Sequence, residues 1–363
     1  MHPSCVFVKF VASFCGLYLL GFRLPKMKTR SLFLAVLAVH VLGFPNPTRG
    51  ADVGFFGIIK SSEFVQTNSG APLGRAAAGF AFNAFVLANA DNVVTGATVK
   101  PSNATALRAL LAIDPGKATW RFEERFDTQA ALDGLFPNGN ILAPVRYTNT
   151  MLTVNDGTKS VALDFVAASL LGSPPTPQIT NFVQAQAIDT TTRFRLGWTL
   201  PGGTALDLVQ VIITDTASNG VFSSAAPFAA GALNGTSNSI VLPPNSLPPG
   251  TNLVGHLSIV RIGLPNTNGY AGATGIPGLL RDTEFRLATR PAPAPPRLTV
   301  ISTDAAPFQF RYTGESNRVY HVQGTEDFVS WTDLLVTNLS SAVYTDQRSD
   351  LFPWRFYRVQ VGP

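Results

Sequence analysis

Beyond residue 51, apolar and polar residues alternate in short runs, the two-residue period of strands with one buried face. In "RFRLGWTL" (193–200) the period sets Phe194, Leu196 and Trp198 on one side. "LVQVIITD" (208–215) and "HLSIVRIG" (256–263) read as two further strands of the same unit. In "ATWRFEERF" (118–126) Trp120 and Phe122 share a side. "MLTVNDGTKSVALDF" (151–165) reads as a hairpin turning at Asn155-Asp156-Gly157. Its expected apolar face is Leu152 and Val154 with Val161, Leu163 and Phe165. Only "DTQAALDGLFPNG" (127–139) has helical character, with Asp127 or Thr128 as cap and Pro137 and Gly139 as stop. The glycine-rich "GYAGATGIPG" (269–278) reads as a long surface loop.

Two proline runs, "GSPPTP" (172–177) and "RPAPAPP" (290–296), are expected to be extended spacers. They divide the chain after a targeting region (1–51) into three units: 52–172, 178–289 and 297–363. The first reads as a β-sandwich-like domain with one short helix, and the last as a small, aromatic-rich β domain. The fold class expected is mainly β, with sandwich domains in tandem.

The middle unit carries motifs of a known family. Trp198 lies inward on its strand, and "SLPPGTNL" (246–253) supplies Leu247, Pro249, Gly250 and Thr251 at the spacing of a Leu-x-Pro-Gly-Thr corner. In these features it resembles the fibronectin type III domain, which implies an immunoglobulin-like sandwich. Leu253 stands where that family has a tyrosine, so the hydroxyl that ties the corner is missing. In the last unit, Tyr320-x-Val322-x-Gly324, Asp327-Phe328-x-x-Trp331 and Arg355-Phe356-Tyr357-Arg358 resemble a module recurring at the C-termini of secreted proteins of environmental bacteria. That resemblance implies location and architecture, and no chemistry.

Charge changes the picture only by where it lies. Six of the 27 basic residues (Lys9, Arg23, Lys26, Lys28, Arg30 and Arg49) precede Asp52, the first acidic residue. The remaining chain therefore carries 22 acidic residues against 21 basic, which gives no support to nucleic-acid binding. Met27-Lys28-Thr29-Arg30 followed by "SLFLAVLAVHVL" (31–42) has the layout of a secretory signal peptide, with small residues near Gly50 and Ala51 for cleavage. For the apolar stretch 5–22 two readings compete. Either translation starts at Met27, which the complete signal peptide there favours, or the stretch is an extra membrane anchor. The expected location is exported, extracellular or in the cell envelope, with membrane contact only through the targeting region. Both cysteines, Cys5 and Cys15, fall in that region, so the exported part has no disulfide or thiolate metal site and relies on packing.

Candidate chemistry is sparse. His256 and His321 are the histidines beyond the targeting region, and no Gly-x-Ser-x-Gly elbow accompanies them. "DTASNG" (215–220) starts like a calcium loop, but Ala217 stands at the second ligand position and Ala226 at the closing one, so it reads as a polar turn. Asp282 and Glu284 share a strand face and read as a solvated edge. Glu123 and Glu124 point to opposite faces and cannot flank one bond. No catalytic residue, metal site or cofactor is expected.

Aromatic residues remain. Eleven of the 37 lie in 297–363, an excess that core packing of a small domain explains without a ligand. In "FPWRFYRVQVGP" alternation puts Tyr357, Val359 and Val361 on the core face, and Trp354 and Phe356 on the other beside Arg358. Trp354 and Phe356 are therefore the candidate ligand platform. The expected function is that of an exported, non-catalytic structural or interaction protein with a protein or polysaccharide partner. The alternative is carbohydrate binding through these aromatics or the loops of the middle unit.

Overall fold

The computed structural model describes residues 51–139, 143–165, 172–302, 307–352 and 354–362. The expected signal peptide, the stretch 5–22 and both cysteines lie outside them. The first unit contains β1 (Val53–Gln66), β2 (Leu73–Gly74), β3 (Phe80–Ala88), β4 (Val94–Pro101), β5 (Arg108–Ala112), β6 (Thr119–Phe126), helix α1 (Gln129–Leu135), β7 (Val145–Thr153) and β8 (Thr158–Phe165). The second contains β9 (Gln178–Ile179), β10 (Phe194–Thr199), β11 (Leu208–Asp215), β12 (Gly220–Ser223), β13 (Leu233–Asn234), β14 (Ser239–Leu242), β15 (Asn252–Ile262) and β16 (Thr274–Ala288). The third contains β17 (Arg297–Ser302), β18 (Phe308–Thr313), β19 (Tyr320–Thr325), β20 (Thr332–Thr337), β21 (Ser341–Asp346) and β22 (Phe356–Val361).

The molecule is mainly β. In the first unit, antiparallel strands in the order β1-β3-β6-β5-β4-β7-β8 curl around one core. Phe82 is its centre, stacked on Phe136 at 3.9 Å and on Tyr147 at 5.4 Å. Thr128 caps α1 by accepting from the Ala131 N–H, and Leu132 anchors the helix in the core.

The hairpin at 151–165 forms, but with one strand in the opposite phase. Val161, Leu163 and Phe165 are buried as expected, whereas Leu152 and Val154 are exposed and Tyr147 and Met151 face inward. The register explains it. Asn149 pairs with Val161 and Tyr147 with Leu163, so the odd positions of β7 share the core face with the odd positions of β8.

The second unit is an immunoglobulin-like sandwich, with β14-β10-β9 packed on β12-β11-β15-β16. Leu196 and Trp198 from β10 meet Val211, Leu257, Ile259 and Phe285 from the larger sheet. The Trp198 indole N–H donates to the Ser237 carbonyl at 2.7 Å, which removes the penalty for burying it. At the corner, Leu247 and Leu253 are both buried. The tie that Leu253 lacks comes from Thr289, whose hydroxyl donates to the Pro248 carbonyl at 2.7 Å.

The loop expected at 269–278 is half strand. From Thr274 the chain enters β16, which pairs in parallel with β1 from Phe55↔Thr274 to Gln66↔Phe285. The first two units consequently share one sheet. Glycine makes the approach possible: a Cβ on Gly275 would sit 2.5 Å from the Phe56 ring, so here glycine marks close packing. The seam to β8 is bridged by Asn266, whose backbone exchanges hydrogen bonds with Gly275 while its side chain donates to Ala162 O at 3.0 Å. The run 172–177 lies along β16: the Pro177 carbonyl accepts from the Thr283 hydroxyl at 2.7 Å, and Pro174 and Pro177 are buried.

The third unit packs β17-β18-β21 against β20-β19-β22. Phe310, Tyr312, Tyr320 and Val322 fill its centre. Tyr357, Val359 and Val361 pack against them, as the alternation predicts.

Candidate functional site

The β20-β19-β22 sheet has a core face and an outer face. Its register sets Val322 beside Leu335 and Val359, and Gln323 beside Asp333 and Arg358. The first set faces inward, so His321, Gln323, Asp333, Phe356 and Arg358 line the outside. Asp333 accepts from Gln323 Nε2 at 2.7 Å and lies 2.9 Å from His321 Nδ1. Gln323, then His321, holds the Asp333 carboxyl below its ordinary range. Arg358 Nε donates to Gln323 Oε1 at 2.7 Å, and its guanidinium lies 4.1 Å from the Trp331 ring centroid.

At one end of this face stands a group of rings. Phe328 and Phe356 lie with centroids 3.7 Å apart, and Trp331 meets Phe328 edge-on at 6.5 Å. Trp354 is 63% exposed, Phe328 61% and Phe356 37%, with Val329 beside them at 81%. Trp331 is half-buried. Core packing therefore accounts for part of the aromatic excess, and these rings lie outside it.

The turn before β20 keeps Phe328 outward. Asp327 Oδ1 accepts from the Val329 and Ser330 N–H groups, both at 2.8 Å, and from the Thr325 hydroxyl at 2.8 Å. These bonds, that of Ser330 foremost, keep the Asp327 carboxyl far below the ordinary range. Inside the turn Phe328 has φ +59°, the left-handed region that a bulky side chain rarely occupies. The Asp327 bonds outweigh that strain. Between β21 and β22, Arg355 and Tyr357 both donate to Asp346 (2.7 and 2.8 Å).

Of the two residues singled out in the sequence, Phe356 contributes a ring to the Phe328 stack, and Trp354 is exposed just before β22. Phe328, Trp331 and Arg358 belong to the sequence motif of this unit, but the sequence does not assign them to the platform. The Asp327-Phe328 step was the available signal, since an Asp followed by free N–H groups favours a turn.

The remaining chemical residues find partners. Asp282 accepts from Ser258 at 2.5 Å and lies 2.9 Å from His256 Nδ1, so the carboxylate stands between hydroxyl and imidazole. A nucleophile–base pair needs the imidazole against the hydroxyl, so this trio is not a Ser-His-Asp triad. Glu284 pairs with Arg75 at 2.5 Å. Asp215 accepts from Ala217 N and Asn219 N in the polar turn expected there. Among the described residues no cluster of three or more His, Cys, Asp or Glu side chains forms a metal site, and no helix is long and apolar enough to cross a membrane.

No family model matches this chain, and no curated protein does. Among solved structures, the chicken CNTN1 FN1-FN3 domains align with 10% identity over 81% of this chain and 88% of that one, at a TM-score of 0.19. A biofilm-associated protein, in its BSP domain, aligns with 12% identity over 83% of this chain and 63% of that one, at 0.16. At scores this low neither likeness bears on what the chain does.

Proposed function

We propose that this chain is an exported, non-catalytic interaction protein that engages its partner through the outer aromatic face of its C-terminal module. The observation that carries the reading is Phe328, held at φ +59° by the Asp327 turn and left 61% exposed against Phe356. A bulky side chain kept in a strained conformation and pointed at solvent serves contact better than stability. Exposed rings with an arginine beside them are also the composition of binding hot spots. The signal-peptide layout at 27–51 and the resemblance of the C-terminal module to terminal domains of secreted proteins support export.

A polysaccharide is the second reading for the partner. The observation favouring it is the row Arg358, Gln323, Asp333 and His321 next to the rings. Rings take the apolar face of a sugar, and such a row takes its hydroxyls.

The test compares the full chain with a Phe328→Ala, Trp354→Ala variant for retention on insoluble polysaccharides and on the surface of the producing cells. The proposal expects retention by the parent and at least a tenfold loss in the variant, with melting unchanged within about 1 kcal/mol, the scale of exposed substitutions. Equal retention of both proteins rejects this face. Retention on cells but on no polysaccharide rejects the second reading alone.

A further inference from the structure

A second site lies in the body of the molecule, away from the aromatic face. A cleft of about 300 Å3 opens between β1, α1, the chain at Ser173–Pro174 and β16. Lys60 is on its wall and only 3% exposed. Its ammonium donates to Asp133 Oδ1 and Asn138 Oδ1, both at 2.7 Å, and lies 5.3 Å from the Phe165 ring centroid. Burial lowers the pKa of Lys60 from its ordinary value, and Asp133 opposes that loss. Lys60 and Asp133 therefore neutralise each other.

Arg281 shares the cleft. It stands opposite Ser62 in the β1/β16 register, one diagonal step from Lys60 on the same face. Its Nη1 donates to the Thr176 hydroxyl at 2.8 Å, and its guanidinium lies 5.6 Å from the Phe64 ring centroid. Among the described residues no carboxylate reaches it. Burial lowers its pKa and no opposing charge offsets that. The cleft thus holds two cations and one anion, with a guanidinium whose planar donors suit a carboxylate.

The rest of the lining is mainly polar, with the hydroxyls of Ser62 and Ser173 and the amides of Gln129 and Asn138. A volume of about 300 Å3 corresponds to roughly ten waters in the liquid, which leaves room for a monosaccharide. We propose that this cleft binds a small hydrophilic monoanion of the sugar-acid class, its carboxylate on Arg281 and its hydroxyls on the serines and amides.

The experiment is calorimetric titration of the full chain with sodium D-glucuronate, beside D-glucose, acetate and inorganic phosphate. Glucuronate is expected to bind at least tenfold more tightly than glucose or acetate. Arg281→Gln should weaken it at least tenfold, and Arg281→Lys, which keeps the charge and loses the planar fork, should weaken it less than Arg281→Gln but measurably against the parent. Ser173→Trp, a bulky change at the exposed mouth, should block binding and leaves the proposal testable if Arg281→Gln does not fold. Failure to bind glucuronate at millimolar concentration overturns the proposal, as does binding that survives both Arg281→Gln and Ser173→Trp. Glucose binding equal to glucuronate overturns the role of charge. Acetate or phosphate binding as tight as glucuronate overturns the sugar-acid class.

Discussion

The two proline runs look alike in sequence and join their neighbours in opposite ways. The run 172–177 lies on β16, with Pro174 and Pro177 buried and hydrogen bonds to Arg281 and Thr283. The units on either side share the twelve-residue pairing of β1 with β16. The run 290–296 is mostly exposed. Across it stand the ion pair of Arg318 with Asp189 at 2.6 Å and a hydrogen bond from Ala294 N to Glu315 Oε1 at 3.1 Å. A proline run therefore does not by itself mark a free linker. What decides is whether a strand edge on each side is left open for the other.

The largest expected effect tests the shared sheet. Phe56 is fully buried and would contact any Cβ at Gly275. Phe56→Ala should cost about 3–5 kcal/mol. Scanning calorimetry should show residues 52–289 melting earlier as one transition, with that of the C-terminal module unmoved. Two separate transitions within 52–289, only one of them shifted, would break the comparison.

A smaller effect is expected at the other joint. Arg318→Gln should cost about 1 kcal/mol, between an exposed ion pair and a charge-assisted bond. Small-angle scattering should then show the module moving further from the body. Acid should do the same. Burial alone would raise the pKa of Asp189, but hydrogen bonds from Thr191 and the Arg318 charge bring it below its ordinary 3.8. A lowered folded-state pKa gives stability that is present above 3.8 and is lost as pH falls through the folded value. Wild-type scattering should therefore approach that of the variant as pH falls from 3.8 through the folded value, and an unchanged profile would remove Asp189 as the tether.

The smallest effect belongs to His256 inside the body. Burial would lower its pKa, yet Asp282, with Glu284 and Glu63 behind it, brings it above 6.5. A raised folded-state value contributes stability fully below pH 6.5 and loses it as pH rises through the folded pKa. The melting advantage of wild type over His256→Gln should shrink across that rise, with the module's transition indifferent. An advantage that grows with pH would reverse the assignment.

The strands around Trp198 and the closing strand at Tyr357, Val359 and Val361 were legible because their alternation is strict and one face is apolar. Helix α1 was legible from Thr128 and the stop after Leu135. The parallel pairing was not, since Gly275 and Pro277 read locally as loop while their partners lie about 220 residues away. The phase of β7 was lost because apolar side chains occupy both of its faces, with Met151 inside and Leu152 outside. At the candidate site the tail aromatics were visible in sequence. Phe328 was not, because a positive φ on phenylalanine runs against its local preference and depends on Asp327.

The position of β16 has a consequence for the order of events in a growing chain. β1 is made early, but its parallel neighbour begins about 220 residues later. At roughly 5–20 residues per second, that edge waits on the order of ten to forty seconds for its partner. During that interval Phe56 and Ile58 lie on a strand with one side open, a template for pairing with another chain. The nascent protein is thus most vulnerable to aggregation while its sandwich is half made, and safest only once the longest wait among the described strand pairings, for β16, is over.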